Sequence, residues 1–380
     1  MNNILFFSEY ADNHTGSPKA LCDLASNLNR TTYELSLIIH RDGLLADDFR
    51  NIGGAVMYKQ SLSLSVTNFF IYLKSIREFM SLYRNNHIDL LHFNGTGWRE
   101  SAVVAAWLAN IPVLLNLHNP YPQKDIRGNF NFALADKIII VSESMRDNFK
   151  NHPGILRKTI CIHNGVNLSR FTPAQSLLRS TLSINSNLPI IGFVGQMCQR
   201  KGVDLLVRSA AAIRPFHPDA LFVLVGIDGV GEEGYTESMK QLAAELGVLD
   251  RFVFLGMRED IPEVMNAFDM LVVPSRAEPF GKVIIEAMAC GKCVVAARVG
   301  GIPEIIEDGF NGLLIPAEDS AALGRAILRL LDDERLRRSL AIKGLQTARE
   351  KFSIEALVNK TQYVYQELLQ KRKVVGHGRR

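Results

Sequence analysis

The chain has 380 residues, 47% of them hydrophobic and 22% charged, with a formal net charge of +4. That length suits two domains with separate cores, and the composition excludes a disordered or collagen-like chain. Five scattered cysteines exclude a secreted disulfide framework, and no run of about 18 uncharged apolar residues is available to span a bilayer. The positive sign comes from the end of the chain, where Lys371, Arg372, Lys373, Arg379 and Arg380 stand with no acid among them. A solvated tail is the simpler reading of that cluster, and contact with anionic lipid head groups is the other. No aromatic-basic motif or finger spacing points to nucleic acid. The segment Met1–Phe7 has no basic region and reads as a first strand, not a signal peptide, so a cytoplasmic protein is expected.

In chain order, apolar runs predict strands at 3–8, 34–40, 55–58, 88–93, 113–118, 137–141 and 159–163. Helical periodicity falls between them at 17–28, 68–84 and 100–109. The helix over 68–84 is aromatic with interspersed cations; packing over a sheet accounts for it better than a membrane surface. Asn164-Gly165-Val166-Asn167 is a turn by composition, and a linker poor in periodicity runs on to Pro189. Strands then recur at 190–195, 221–226, 251–255, 270–273, 293–296 and 312–315, with helices at 203–213, 235–246, 261–267, 281–290 and 320–331. A long helical pattern over 354–370 closes the chain. This alternation predicts an α/β protein of two doubly wound, Rossmann-like domains facing across a cleft lined by strand carboxyl ends. The expected division is 1–172 and 173–353, with 354–380 a closing helix and basic tail. For that helix, a return to the first domain is one option.

The segment 274–302 is the most informative. It sets Glu278 and Glu286 around Phe280-Gly281, with Glu286 in the otherwise apolar run Val283–Ala289. A carboxylate on such a helix is costly to desolvate unless something binds it. Glu278 lies beyond a strand's carboxyl end, where open α/β sheets bind ligands. Two carboxylates so placed suit a polyhydroxylated ligand, and the amides at the start of the helix suit phosphate. Backbone capping is the competing, purely structural account of Glu286. Lys201, in the turn after the strand at 190–195, can meet a diphosphate as a point charge. His118 ends an apolar strand and is a candidate cleft residue, with His92 ranked below it. Gly16-Ser17 opens the first helix, with Pro18 behind it as in an ordinary helix start.

Two motif matches are set aside. Gly229–Gly234 fits G-x-G-x-x-G, but it follows the second strand of its half and carries two glutamates that would repel a pyrophosphate. Cys290-Gly291-Lys292-Cys293 fits C-x-x-C, but it ends a helix, where the dipole has the wrong sign to activate a thiol. No D-x-D pair offers carboxylates to a metal on a diphosphate.

The second half resembles the family-4 glycosyltransferases, retaining enzymes of the GT-B fold that transfer sugar from a nucleotide-sugar. The resemblance rests on Ile162–Asn167 with Phe171 and Pro173, Phe193–Gln196 with Arg200–Asp204, the pair Glu278 and Glu286, and Gly300–Glu304. It implies transfer of a hexose-type sugar from a UDP- or GDP-sugar to a glycan or lipid-linked acceptor, in cell-surface polysaccharide or lipopolysaccharide synthesis. No cofactor is expected, and the missing D-x-D pair leads us to expect no metal; a lipid-linked acceptor would fit a peripheral contact of the basic tail with the cytoplasmic face of the inner membrane.

The same resemblance gives catalytic roles to His118, Lys201 and Glu278. It puts Gly16, Ser17, Gln196, Lys201, Glu278, Phe280, Gly281, Lys282 and Glu286 on the donor. The family has an arginine where Gln196 stands. Glutamine donates a hydrogen bond without neutralising charge, so Arg200, Arg276 and Lys282 are the cations to examine in its place. An epimerase of the same fold and a non-catalytic nucleotide-sugar binder are the alternative functions.

Overall fold

The computed structural model describes all residues except 13–15, 96, 98, 122–125, 127, 128, 183, 186, 187 and 378–380, with only the backbone at 66 and 371–377. The chain forms two compact units, Met1–Gly165 with Ile354–Arg380, and Val166–Ser353.

The first unit is built on a parallel sheet of β1 (Asn2–Ser8), β2 (Tyr33–Ile39), β3 (Ala55–Tyr58), β4 (Leu90–Asn94), β5 (Val113–Leu117), β6 (Lys137–Ile140) and β7 (Thr159–Cys161). The strand order is β3-β2-β1-β4-β5-β6-β7. The chain steps outward from β1 in both directions, which makes the gap between β1 and β4 the topological switch point. In register, Phe6 pairs with His92 and Ser8 with Asn94, and Asn94 pairs in turn with Asn116. The central strands are buried on both faces, as parallel strands covered by helices must be. One face carries Ile4, Phe6, Leu90 and Leu114, packed against Leu21 and Leu24 of the helix Gly16–Asn27 and against Tyr365 and Leu368 of the helix Ile354–His377.

The second unit repeats the plan with β8 (Ile190–Val194), β9 (Leu221–Val225), β10 (Phe252–Phe254), β11 (Met270–Val273), β12 (Cys293–Ala297) and β13 (Leu313–Ile315). Its order, β10-β9-β8-β11-β12-β13, puts the switch point between β8 and β11. Its core joins Ile191, Phe193, Val272 and Val295 to Leu206, Ile213, Ile327 and Leu330 of the covering helices.

Some helices escape the sequence pattern. Leu44–Asn51 and Phe130–Leu134 are short, and Glu334–Lys351 is eighteen residues long yet buries only Leu340, Gly344, Thr347 and Ala348. A face of small residues leaves little apolar periodicity to read. The aromatic helix Phe69–Asn85 buries Tyr72, Ile76, Phe79 and Tyr83, as packing over a sheet requires. It nonetheless leaves Phe70 83% and Ile71 62% exposed at its start. Among the described residues no helix is long and apolar enough to cross a membrane.

Candidate active site

In the second unit two loops leave the strands on either side of the switch point and meet. After β8 the chain passes Gly195 and Gln196, makes a single 3₁₀ turn at Gln199–Lys201 and enters the helix Val203–Ile213 through Gly202. Gly202 is left-handed (φ 69°), and a Cβ there would lie 2.2 Å from the carbonyl oxygen of Pro274. Only glycine permits both the conformation and the approach. The contact is extended by Arg276, whose amide donates to the Arg200 carbonyl (2.8 Å) and whose guanidinium donates to the Gln199 carbonyl (2.8 Å). Arg200 returns a bond to the Ala277 carbonyl at 3.2 Å.

The result is that Lys201 and Glu278, 77 positions apart, form an ion pair of 2.5 Å with side chains 15% and 10% exposed. Glu278 is held from behind. Gly300 is left-handed, with room for a Cβ denied by the Glu278 carbonyl at 1.9 Å, and the Gly301 amide donates to that carbonyl at 3.1 Å.

The helix Lys282–Ala289 starts immediately beyond, after a left-handed Gly281 that supplies no side-chain cap to the first turn. Phe280 is buried, edge-on to Phe352 at 5.8 Å. Glu286 lies one turn into the helix, its carboxylate 3.8 Å from the Lys282 ammonium. The second unit thus gathers two lysines, two carboxylates and a helix start at one end of its sheet.

Of the cations considered beside Gln196, Arg276 is committed elsewhere. It binds Asp204 through two nitrogens at 2.8 and 2.9 Å. Burial raises the Asp204 pKa, but the hydrogen bonds and charge of Arg276 outweigh it and hold the carboxyl below its ordinary value. Arg276 is in turn made more basic, first by the same hydrogen bonds. Arg200 is exposed, and Gln196 sits half-buried just past β8.

The first unit collects a second group. Gly16 opens its helix at the surface, and the Ser17 hydroxyl accepts from the side-chain amide of Asn94 at 3.0 Å. His118, half-buried beyond β5, has Nε2 2.9 Å from Asn94 Oδ1. Asn116 Nδ2 approaches the same oxygen at 3.3 Å and His118 Nε2 at 3.2 Å. Ser17 and His118 therefore meet through Asn94, which sequence reasoning did not single out, and neither did it single out Asn116. The signal was available: a polar residue ending the buried run Leu90-Leu91-His92-Phe93 needs partners.

His92 faces the core, its Nδ1 2.6 Å from the Tyr365 hydroxyl. Burial, with a smaller effect from His118, pushes its pKa down to about 3, so it is neutral. The loops at 12–15, 94–99 and 119–128 lie partly outside the described residues, as does the end of the basic tail.

The glycine motif at 229–234 is filled by its own acids. Glu232 accepts from the Gln199 amide at 2.6 Å, and Asp228 accepts from the amides of Gly234 and Thr236. Burial pushes the thiols of Cys290 and Cys293 up to about 12, which suits packing and not redox exchange.

Two parallel, doubly wound sheets, each with polar side chains gathered beyond its strand carboxyl ends, are the architecture of GT-B glycosyltransferases. Comparison with known proteins gives the family. Residues 15–170 match the family described as Glycosyltransferase Family 4, and residues 175–347 match Glycosyl transferases group 1. The chain is 33% identical to an uncharacterized glycosyltransferase of Methanocaldococcus jannaschii, over 76% of this chain and 78% of that one. It is 32% identical to a D-inositol 3-phosphate glycosyltransferase of Salinispora arenicola, over 74% and 69% of the two chains. The crystal structure of Anabaena HepE with UDP-glucose superimposes with a TM-score of 0.82 at 25% identity, covering 96% of this chain and 99% of that one. The protein belongs to the family-4 type of GT-B glycosyltransferases and is a sugar-transferring enzyme.

Proposed function

We propose that the enzyme moves a hexose-type sugar from a nucleoside-diphosphate sugar to a glycan or lipid-linked glycan, with retention at the anomeric carbon and without a metal. The observation that carries this reading is the buried Lys201–Glu278 pair at the switch point of the second unit. Lysine and carboxylate neutralise one another there until a ligand offers each a better partner. A diphosphate attracts the Lys201 ammonium, and the start of the helix Lys282–Ala289 supplies amide donors and a favourable dipole. Glu278, relieved of its lysine, accepts from hydroxyls of the transferred sugar, beside the amides of Phe280, Gly281 and Lys282. Glu286 exchanges Lys282 for ribose hydroxyls in the same way. As the sugar–phosphate bond breaks, charge grows on the leaving diphosphate, and Lys201 stabilises it where it develops. Gln196 adds a neutral donor. In the first unit the reading assigns the Gly16 and Ser17 amides to phosphate oxygens and His118 to the reacting sugar.

Anabaena HepE, solved with UDP and with UDP-glucose, makes a uridine donor the first to test. The assay is a panel of UDP- and GDP-sugars screened for protection against thermal unfolding, with a chelator present. One donor is expected to raise the midpoint, by about 2.7 kcal/mol of stabilisation at a hundredfold excess over Kd. Donor protection with no transfer to any glycan or lipid-linked acceptor would favour the non-catalytic binder. Epimer formation from donor alone would favour the isomerase. No protection by any nucleotide-sugar would end the proposal. A role in cell-surface glycan synthesis at the cytoplasmic face of the inner membrane belongs to the same reading. The exposed Phe69-Phe70-Ile71 at the start of the helix Phe69–Asn85 supports peripheral contact.

A further inference from the structure

Asn94 is fully buried at the end of an apolar strand, where an amide is costly unless all of it is bonded. It is bonded on both sides. Its nitrogen donates to Ser17 Oγ, the second residue of the helix Gly16–Asn27, and its oxygen receives Asn116 Nδ2 and His118 Nε2. An amide oxygen has two acceptor sites, which these two neighbours fill. The 2.9 Å contact from His118 Nε2 to Asn94 Oδ1 is a hydrogen bond only if the proton sits on Nε2; the opposite tautomer would let Nε2 accept from Asn116 Nδ2 at 3.2 Å but would set two acceptors against each other at 2.9 Å. With the proton on Nε2, a neutral imidazole keeps its lone pair on Nδ1.

We infer that Asn94 is a positioning residue that sets His118 as its Nε2–H tautomer and ties that ring to the start of the first helix. The functional consequence rests on the assignment of His118 to the reacting sugar. Two groups from different loops, a helix start and an imidazole, are brought into register by one side chain on β4, next to the switch point. Asn116 contributes the second donor to the same oxygen at 3.3 Å. His92, two residues back on β4, is kept neutral by its burial and brings no charge to the group.

The test is nitrogen NMR on the full-length protein labelled at its histidines, with the His118 signals assigned by their loss in His118→Asn. The wild type should show a protonated Nε2 and an unprotonated Nδ1 between pH 7 and 8. In Asn94→Asp, a carboxylate in place of the amide should make His118 titrate at least one pH unit higher, with the acid limb of the transfer rate moving alongside. Asn94→Leu should scramble the tautomers and lower the transfer rate about tenfold or more at nearly constant donor KM. An Nδ1–H tautomer in the wild type would overturn the inference without any variant having to fold. So would an unchanged His118 titration in folded Asn94→Asp. If the nitrogen signals behave as expected and transfer ignores both variants, the positioning stands and the role given to His118 fails, so the two can be told apart.

Discussion

His92 provides a prediction whose size follows from the structure. The ring is fully buried between Phe6 and Tyr365, and its pKa is pushed to about 3, whereas an unfolded histidine titrates near 6.5. Folding therefore favours the neutral ring. Its contribution is complete above about pH 6.5 and is lost as the pH falls through that value toward 3. At pH 5 the unfolded chain gains protonation free energy that the folded one cannot, a loss of about 2 kcal/mol relative to pH 7.5. The figure is set by the unfolded value once the folded one lies well below the working pH. Both tryptophans of the chain, Trp98 and Trp107, belong to the first unit, so their fluorescence during urea unfolding reports on the unit that holds His92. His92→Gln keeps a polar partner for the Tyr365 hydroxyl and cannot titrate. Subtracting the variant's loss from the wild type's isolates this one ring. The stability lost between pH 7.5 and 5 should be smaller in the variant by about 2 kcal/mol. Equal losses in the two proteins would mean that His92 protonates without penalty, and the description of a sealed ring would be wrong.

The remaining predictions concern the second unit. Lys201→Met should lower kcat about 10²- to 10³-fold, as expected for a donor aimed at developing charge, and initial rates of nucleotide release would read it. A loss below threefold would remove Lys201 from the leaving group. Glu286→Gln should weaken donor binding about tenfold by calorimetry while changing kcat little, because a ribose contact is the same in ground and transition states. Gly300→Ala should cost at least about 2 kcal/mol of stability by scanning calorimetry, since the new methyl meets the Glu278 carbonyl in a left-handed backbone. Cys290 and Cys293 should resist a maleimide in the folded protein, whereas the half-buried Cys22 and Cys161 label first, as peptide mass mapping would show.

The fold was legible because parallel strands covered on both faces read as short continuous apolar runs. Ile190–Val194, Met270–Val273 and Cys293–Ala297 are such runs, and each is a strand. Helices were legible where large residues mark one face, as in Val203–Ile213, which buries Leu205, Leu206 and Ile213. The helix Glu334–Lys351 was not, because beside Leu340 it packs through Gly344, Thr347 and Ala348, small residues that mark no wide apolar face. Close approach replaces apolar bulk there: a Cβ on Gly344 would come within 3.2 Å of Met288.

The site divides along a different line. Which residues carry charge near the sheet end was readable one loop at a time, because Lys201 and Glu278 each follow an unmistakable strand. That they neutralise each other was not, since nothing local links residues 77 positions apart. The link is made by backbone, through Gly202 against Pro274 and through Arg276 reaching back to the Gln199 carbonyl. Arg276 also shows why a cation count misleads. Next to Gln196 in sequence logic it looks like a substitute for a missing arginine, yet two short bonds to Asp204 make it part of the scaffold that brings the loops together. Freeing it for phosphate would cost the half-buried Asp204 its two-nitrogen partner, leaving the weaker bond from the Tyr235 hydroxyl at 3.4 Å, and would loosen the contact on which the Lys201–Glu278 pair depends. On the proposed reading, the charge offered to a leaving diphosphate in this unit comes from Lys201 and Lys282, each paired with a carboxylate, and from the exposed Arg200. Under that reading the paired lysines go to a ligand that satisfies the carboxylates as well, and a nucleotide-sugar, anionic at its diphosphate and hydroxylated on either side of it, would meet both demands at once.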